Sequence, residues 1–247
     1  MAQTEKKTAL VVGAGTGLGL GLLERFHGAG FKVAAAARNV DRLQEMQALD
    51  ALDDMACFAC DASVESDVEA LFEGVTAEHG VPDLVVFNVG NLVFGEVTEL
   101  ATEDFITSWE VGCLAGFFVG RAAARAMLER GTGTIIFTGA TASLRGAAKF
   151  SSLAVPKVGL RALAQSMAKE LGPKGIHVAH VIIDGGIKSK RPRELPEALK
   201  NFDFTPSKVP DSAMQPADIA ETYFHLHRQP RNSWTHELDL RPWVEKF

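Results

Sequence analysis

Seven apolar runs of strand length, at residues 9–12, 32–37, 55–60, 84–87, 134–138, 177–183 and 237–240, alternate with amphipathic stretches of helix length. This rhythm constrains the chain more than any other feature, because strands alternating with helices fold as a parallel sheet covered by helices. Most of the runs are apolar at consecutive rather than alternate positions, as expected of strands buried on both faces. The pattern predicts helices near 17–29, 40–50, 64–79, 103–128, 152–172 and 216–228. At 247 residues with 47% hydrophobic content, the chain can bury one large core, so one domain spanning 1–247 is expected.

The formal charge of -6 speaks against nucleic acid as a partner, since phosphate-binding domains carry a dominant basic surface. Lys6-Lys7 ahead of an apolar run resembles the start of a signal peptide, but glycines at 13, 15, 17, 19 and 21 interrupt it. No uninterrupted apolar stretch approaches the roughly 18 residues of a membrane helix, and three cysteines make no disulfide framework. No membrane partner and a cytoplasmic location are therefore expected. Cys57 and Cys60 match a CxxC spacing, yet they fall on a short strand, where residues three apart point to opposite faces. Core packing is the favoured reading.

The stretch 188–215 differs in texture, with several prolines and the basic cluster Lys188-Ser-Lys-Arg-Pro-Arg193. It reads either as a solvated loop with one short helix or as a region that covers a substrate.

The first strand runs directly into Gly13-Ala-Gly-Thr-Gly-Leu-Gly19 and then into a helix. In that setting glycines allow a tight turn and close approach of a pyrophosphate, which the helix N-terminus attracts. A methyltransferase, a flavin protein or a purely structural turn could carry the same glycines. At the end of the second strand, where an acidic residue would hold ribose hydroxyls, stand Arg38 and Asn39. An arginine there can clamp a 2'-phosphate with its planar fork of donors, or it is a surface arginine leading into the next helix.

Taken together, these features resemble the short-chain dehydrogenase/reductase family over nearly the whole chain. Gly13-x-x-x-Gly17-x-Gly19 matches the family's glycine motif. Asp61, followed by Ala62, stands where its adenine-contacting aspartate sits, and Asn88-Val89-Gly90 stands for its Asn-Ala-Gly. Asp184-Gly185-Gly-Ile187-Lys-Ser189 is similar to the Pro-Gly…Thr segment that touches the nicotinamide amide. The resemblance implies an α/β, Rossmann-type doubly wound parallel sheet of about seven strands with helices on both faces. It implies NADP(H), preferred over NAD(H), bound by Gly13, Gly15, Thr16, Gly17, Leu18, Gly19, Arg38, Asn39, Asp61, Ala62, Asn88, Val89, Gly90, Lys157, Gly185, Ile187 and Ser189. It also implies a homodimer or homotetramer, assembled through the helices near 103–128 and 152–172.

Members of that family reduce carbonyls with a tyrosine as acid, a serine that binds the carbonyl oxygen, a lysine that orients the ribose and an asparagine that anchors a water. Matched to this sequence, Lys157 remains, while Leu153, Ala140 and Gly112 occupy the tyrosine, serine and asparagine positions. Losing a positioned acid costs about 10²–10⁴ in rate and losing an oxyanion donor about 10²–10³. Leucine and alanine donate no hydrogen bond. The chain's one tyrosine, Tyr223, lies in a late helix and reads as a packing residue. Pro156 requires the helix either to start late or to kink beside Lys157. Thr138, Thr141, Ser143, Ser151 and Ser152 supply hydroxyls nearby, several of which strand alternation and capping should direct elsewhere. His177 with His180, and His225 with His227, show no metal-ligand spacing, and no metal is expected.

Three readings follow. The first is an NADP(H)-dependent short-chain oxidoreductase with an atypical site, acting on a small-molecule substrate that needs little acid help: an iminium carbon, a quinone or an activated alkene. An apolar pocket lined by Leu153, Ala140, Leu144 and Val93 would suit it. The second is a catalytically inactive sensor or scaffold that binds NADP(H). The third is a methyltransferase, against which Arg38 and Asn88-Val89-Gly90 speak.

Overall fold

The computed structural model describes residues 6–49, 52–188 and 209–246. Seven strands form one parallel sheet: β1 (Thr8–Val12), β2 (Lys32–Ala37), β3 (Ala56–Ala59), β4 (Leu84–Phe87), β5 (Gly133–Thr138), β6 (Ile176–Ile183) and β7 (Glu237–Leu240). Their order is β3-β2-β1-β4-β5-β6-β7. The helices are α1 (Leu18–Gly28), α2 (Val40–Leu49), α3 (Glu65–His79), α4 (Thr102–Trp109), α5 (Ala115–Leu128), α6 (Ser151–Leu171) and α7 (Pro216–Arg228).

Consecutive residues of a strand face opposite layers, and both layers are apolar. Ala9, Val11, Val33, Ala35 and Val86 pack under α1, α2 and α7, against Leu22, Phe26, Met46 and Tyr223. Leu10, Val12, Val85, Phe87 and Phe137 pack on the other side against Leu71, Val119, Leu160 and Met167 of α3, α5 and α6. The row Leu160, Met167 and Leu171 of α6 is therefore core, with Leu163 packed at its margin.

Three expectations need correction. The run 55–60 is a strand only over Ala56–Ala59, and as the sheet's edge it leaves Cys57 and Phe58 half-buried and Ala59 exposed. The helix expected at 103–128 is divided by a π-helical turn, Glu110–Leu114, between α4 and α5. By length and composition this helical run, Thr102–Leu128, could cross a membrane, although no single apolar stretch stood out in the sequence. Its Ala115, Val119, Ala123 and Met127 pack in the core cluster under the sheet. Finally, α6 starts at Ser151, and its helical turns continue through Pro156. Ser189 and most of the stretch 188–215, namely residues 189–208, lie outside the described residues.

Strands added in opposite directions from β1 and β4 leave a crevice at their carboxyl ends, the usual ligand position in such sheets.

Candidate active site

The glycine turn forms one lip of this crevice. Gly13 follows β1 at φ +84, and a side chain there would place its Cβ 2.8 Å from the Asn88 carbonyl. Its N–H donates to the Ala36 carbonyl (2.9 Å), and its own carbonyl accepts from the Asn88 side-chain amide (3.1 Å). Asn88 thus fastens the ends of β1 and β4 together. Gly15 and Gly17 have open space where a side chain would stand, and α1 begins with no side-chain cap and no acidic residue in its first turn. An uncapped helix N-terminus behind open glycine backbone is suited to an anion. Thr16 and Gly17 also border a cleft of about 260 Å³, shared with Lys188 and Pro216. Leu18 and Gly19 are buried in the first turn of α1.

Further along the carboxyl edge, Arg38 and Asn39 are exposed. The Asn39 side-chain carbonyl accepts the Arg42 N–H at 3.0 Å, so it holds the start of α2. Asp61 accepts from both the N–H (3.0 Å) and the hydroxyl (2.6 Å) of Ser63, and Ala62 beside it is buried. These bonds, led by the hydroxyl, hold the Asp61 carboxyl below its ordinary pKa, and the charge of Arg38 adds to the effect. At the far end, Gly185 and Ile187 follow β6, with Ile187 bridged to Met214.

Lys157 is buried at the centre. Its ammonium donates to the carbonyls of Thr138 (2.7 Å) and Val89 (3.2 Å), and a Cβ on Gly90 would lie 3.8 Å from it. Burial lowers its pKa from 10.5 to about 8. Leu153 and Ala140 are half-buried, and Gly112 is buried inside the π-helical turn. Such turns often mark functional segments of a helix. A Cβ on Gly112 would lie 2.7 Å from Cβ of Pro156, so the proline occupies the space that a larger residue would need.

Most of the neighbouring hydroxyls are engaged with other groups. Thr138 shares a 3.0 Å hydrogen bond with Tyr223, whose burial raises the phenol pKa and removes it from the site. Ser143 accepts the Ala140 N–H at 3.1 Å. Ser152 donates to the Val93 carbonyl (2.6 Å) and accepts the Val93 N–H (3.2 Å). Thr141 donates to the buried carboxylate of Asp184, whose other oxygen lies 3.1 Å from Arg241. Ser151 Oγ is a buried atom with no hydrogen-bond partner among the described residues. Leu144 and Val93 are exposed and half-buried respectively, with Phe94 and Phe150 in edge contact (5.2 Å) beside them.

Sequence reasoning passed over two arrangements. Asp184 appeared only as the first residue of a glycine segment, although its partners Thr141 and Arg241 come from distant loops. The other is His180, whose Nδ1 lies 3.0 Å from Glu237, itself gripped by both ends of the Arg161 fork (2.7 and 2.6 Å). His180 Nε2 is buried beneath Gly139, where a Cβ would come within 2.4 Å of it. Desolvation lowers the His180 pKa to about 4, so the ring is neutral. His177 stacks on Trp234 (4.9 Å) and contacts the Thr235 carbonyl, while His227 contacts Thr134. Among the described residues no three His, Cys, Asp or Glu side chains gather as a metal site.

The short chain dehydrogenase family model matches residues 7–199. The chain belongs to the short-chain dehydrogenase/reductase family. That family consists of NAD(P)-dependent oxidoreductases, and this chain is one of them by type. It is 23% identical over 239 residues to an uncharacterised oxidoreductase of Staphylococcus aureus strain MRSA252, covering 96% of this chain and 97% of that one. Among solved structures, a short-chain dehydrogenase from Rhodopseudomonas palustris is 38% identical with a TM-score of 0.79, over 96% of this chain and 99% of that one. A variant actinorhodin polyketide ketoreductase with NADPH is 26% identical with a TM-score of 0.85, over the full length of both chains.

Proposed function

We propose that this chain is an NADP(H)-dependent oxidoreductase with an atypical active site, moving hydride to or from a small apolar substrate that needs little acid catalysis. One observation carries the reading. A buried Lys157 is held by the carbonyls of Thr138 and Val89 at the carboxyl ends of β5 and β4, while Leu153, Ala140 and Gly112 offer no side-chain donor where the family places three.

The residues present fit a phosphorylated dinucleotide. Gly15 and Gly17 leave room for the pyrophosphate against the α1 N-terminus, Arg38 would take the 2'-phosphate, Asp61 the adenine and Lys157 the nicotinamide ribose. Bound there, the cofactor supplies or accepts the hydride. The protein's own residues then orient it and keep water away with Leu153, Val93 and Leu144. The NADPH-containing ketoreductase neighbour supports the phosphorylated form. We further infer a homodimer or homotetramer acting in the cytoplasm. Exposed Ile106, Trp109, Val155 and Val158 on α4 and α6 support the assembly.

The test pairs NADPH and NADH titrations with a turnover panel of simple ketones, a quinone, an activated alkene and an iminium, on wild type and on the double variant Ala140→Ser/Leu153→Tyr. Wild type should bind NADPH more tightly than NADH and fail on simple ketones, whereas the double variant should gain ketone reduction by about 10²-fold or more. Brisk reduction of plain ketones by wild type, or indifference to NADPH, defeats the reading. Tight NADPH binding with no turnover across the whole panel would identify a sensor or scaffold instead.

A further inference from the structure

Glu237 on β7 accepts both ends of the Arg161 fork (2.7 and 2.6 Å) and faces His180 Nδ1 at 3.0 Å. The Arg161 bonds lead the effects that hold its carboxyl below the ordinary pKa, so it is a carboxylate at neutral pH. A carboxylate only accepts, which places the single ring proton of the neutral His180 on Nδ1. Nε2 is left as a bare acceptor, buried and without a hydrogen-bond partner among the described residues.

Both partners of Glu237 lead towards Lys157. Arg161 stands four residues after it on α6, so the two side chains lie on one face, a turn apart. The His180 ring lies against Gly139, where a Cβ would come within 2.4 Å of Nε2. Gly139 directly follows Thr138, whose carbonyl accepts the Lys157 ammonium at 2.7 Å, and its own N–H is tied to the Val181 carbonyl of β6 (2.7 Å). The ammonium is thus held between α6 and the end of β5. Glu237 reaches the first through Arg161 and the second through His180.

Such bracing matters because Lys157 is almost completely buried, yet among the described residues it donates only to the carbonyls of Thr138 and Val89 (3.2 Å). A buried ammonium with no carboxylate of its own depends on where those carbonyls stand. The groups around it are Arg161 on α6, Glu237 on β7 and the neutral His180 on β6, while Asp184 at the end of β6 is paired with Arg241 (3.1 Å). Glu237 therefore also balances the guanidinium that would otherwise repel the ammonium.

We propose that Glu237 is a positioning residue for Lys157, bracing α6 and the end of β5 on either side of the ammonium and neutralising Arg161. This deepens the proposed function and rests on it for the role of Lys157 at the cofactor.

The test measures NADPH affinity of the full-length protein from pH 6.5 to 9.5. In wild type the affinity should fall as the pH passes about 8, where Lys157 loses its charge. Glu237→Gln, close in shape but uncharged, leaves Arg161 unbalanced, so the midpoint should move down by about half a pH unit or more. Arg161→Met/Glu237→Gln removes both charges and should bring the midpoint back to that of wild type. His180→Asn cuts one arm without changing the charge; binding at neutral pH should weaken by about 3-fold or more, with the midpoint in place. An unmoved midpoint in Glu237→Gln, a double variant no nearer to wild type than the single one, or undiminished binding by His180→Asn overturns the proposal. A purely structural role would lower thermal stability and leave the midpoints where they are. The same titration followed by NMR at the Lys157 Cε carbon of the cofactor-free protein needs no NADPH. If wild type fails to bind NADPH, the oxidoreductase reading falls, and the NMR midpoints still decide on Glu237.

Discussion

The contact between Gly112 and Pro156 can be tested by adding one methyl group. In Gly112→Ala the new Cβ would sit 2.7 Å from Pro156 Cβ and 3.2 Å from its Cγ, where ordinary carbon contacts lie at about 3.5–4.0 Å. The proline ring cannot rotate away, because it is closed onto its own backbone in the second turn of α6. The π-helical turn must therefore move against a packed layer. Overpacking of this kind costs about 1–3 kcal/mol, more than the roughly 0.5–1 kcal/mol that alanine gains over glycine in a helix. Each kcal/mol moves the melting midpoint of a chain this size by about 2–4 °C. Gly112→Ala should thus melt several degrees below wild type in calorimetry. Pro156→Gly removes both the Cβ and the Cγ that the new methyl group meets, so in that background the added methyl should cost little, with a coupling of about 0.5–3 kcal/mol. A Gly112→Ala variant as stable as wild type, or strictly additive effects, would refute the argument.

Other expectations concern charge. Replacing Arg38 by methionine should weaken NADPH binding by about 10-fold or more while changing NADH binding little, because a charge-assisted clamp on the 2'-phosphate is worth about 1.5–3 kcal/mol; equal losses for both cofactors would remove Arg38 from that role. His180 and His227 have folded pKa values of about 4, against about 6.5 unfolded. The unfolded chain then binds more protons between those values, so stability is present above about pH 6.5 and falls as the pH drops towards 4, and urea midpoints from pH 7 to 4 should show His180→Asn flattening the decline. Lys157 acts at the other end. With its folded pKa near 8 and its unfolded value at 10.5, its contribution should rise from pH 8 towards 10, and Lys157→Met should abolish that rise in urea midpoints measured from pH 7 to 10.

The strands were legible because most are apolar at consecutive positions, and five of them are sandwiched between two layers of helices. The edges were less so. β3 keeps one face partly open, and its sequence alone does not tell where pairing stops. The π-helical turn was invisible, since an i to i+5 hydrogen bond has no side-chain signature. The glycine turn could be read because positive φ at Gly13 and the Asn88 carbonyl pressed against it restrict what can stand there. Partners of hydroxyls could not, as Thr141–Asp184 and Thr138–Tyr223 join residues 43 and 85 positions apart. For Pro156 the sequence posed the right question, whether the helix starts late or bends, but the answer depended on Gly112 making room from another helix.

On the function proposed above, the positions without a side-chain donor differ in how readily one could be restored. At 140 and 153 the side chains are only half-buried, which leaves part of each open to a larger replacement. Position 112 is closed by Pro156, and position 139 is closed by the His180 ring, which Glu237 and Arg161 hold from behind. Restoring asparagine at 112 requires a second change in α6, and any side chain at 139 requires one in β6. Each of these two glycines is therefore half of a pair whose other half already fills the space. Here Pro156 and the neutral His180 ring fill the volume beside Gly112 and Gly139, so a side chain added at either glycine meets a packed neighbour.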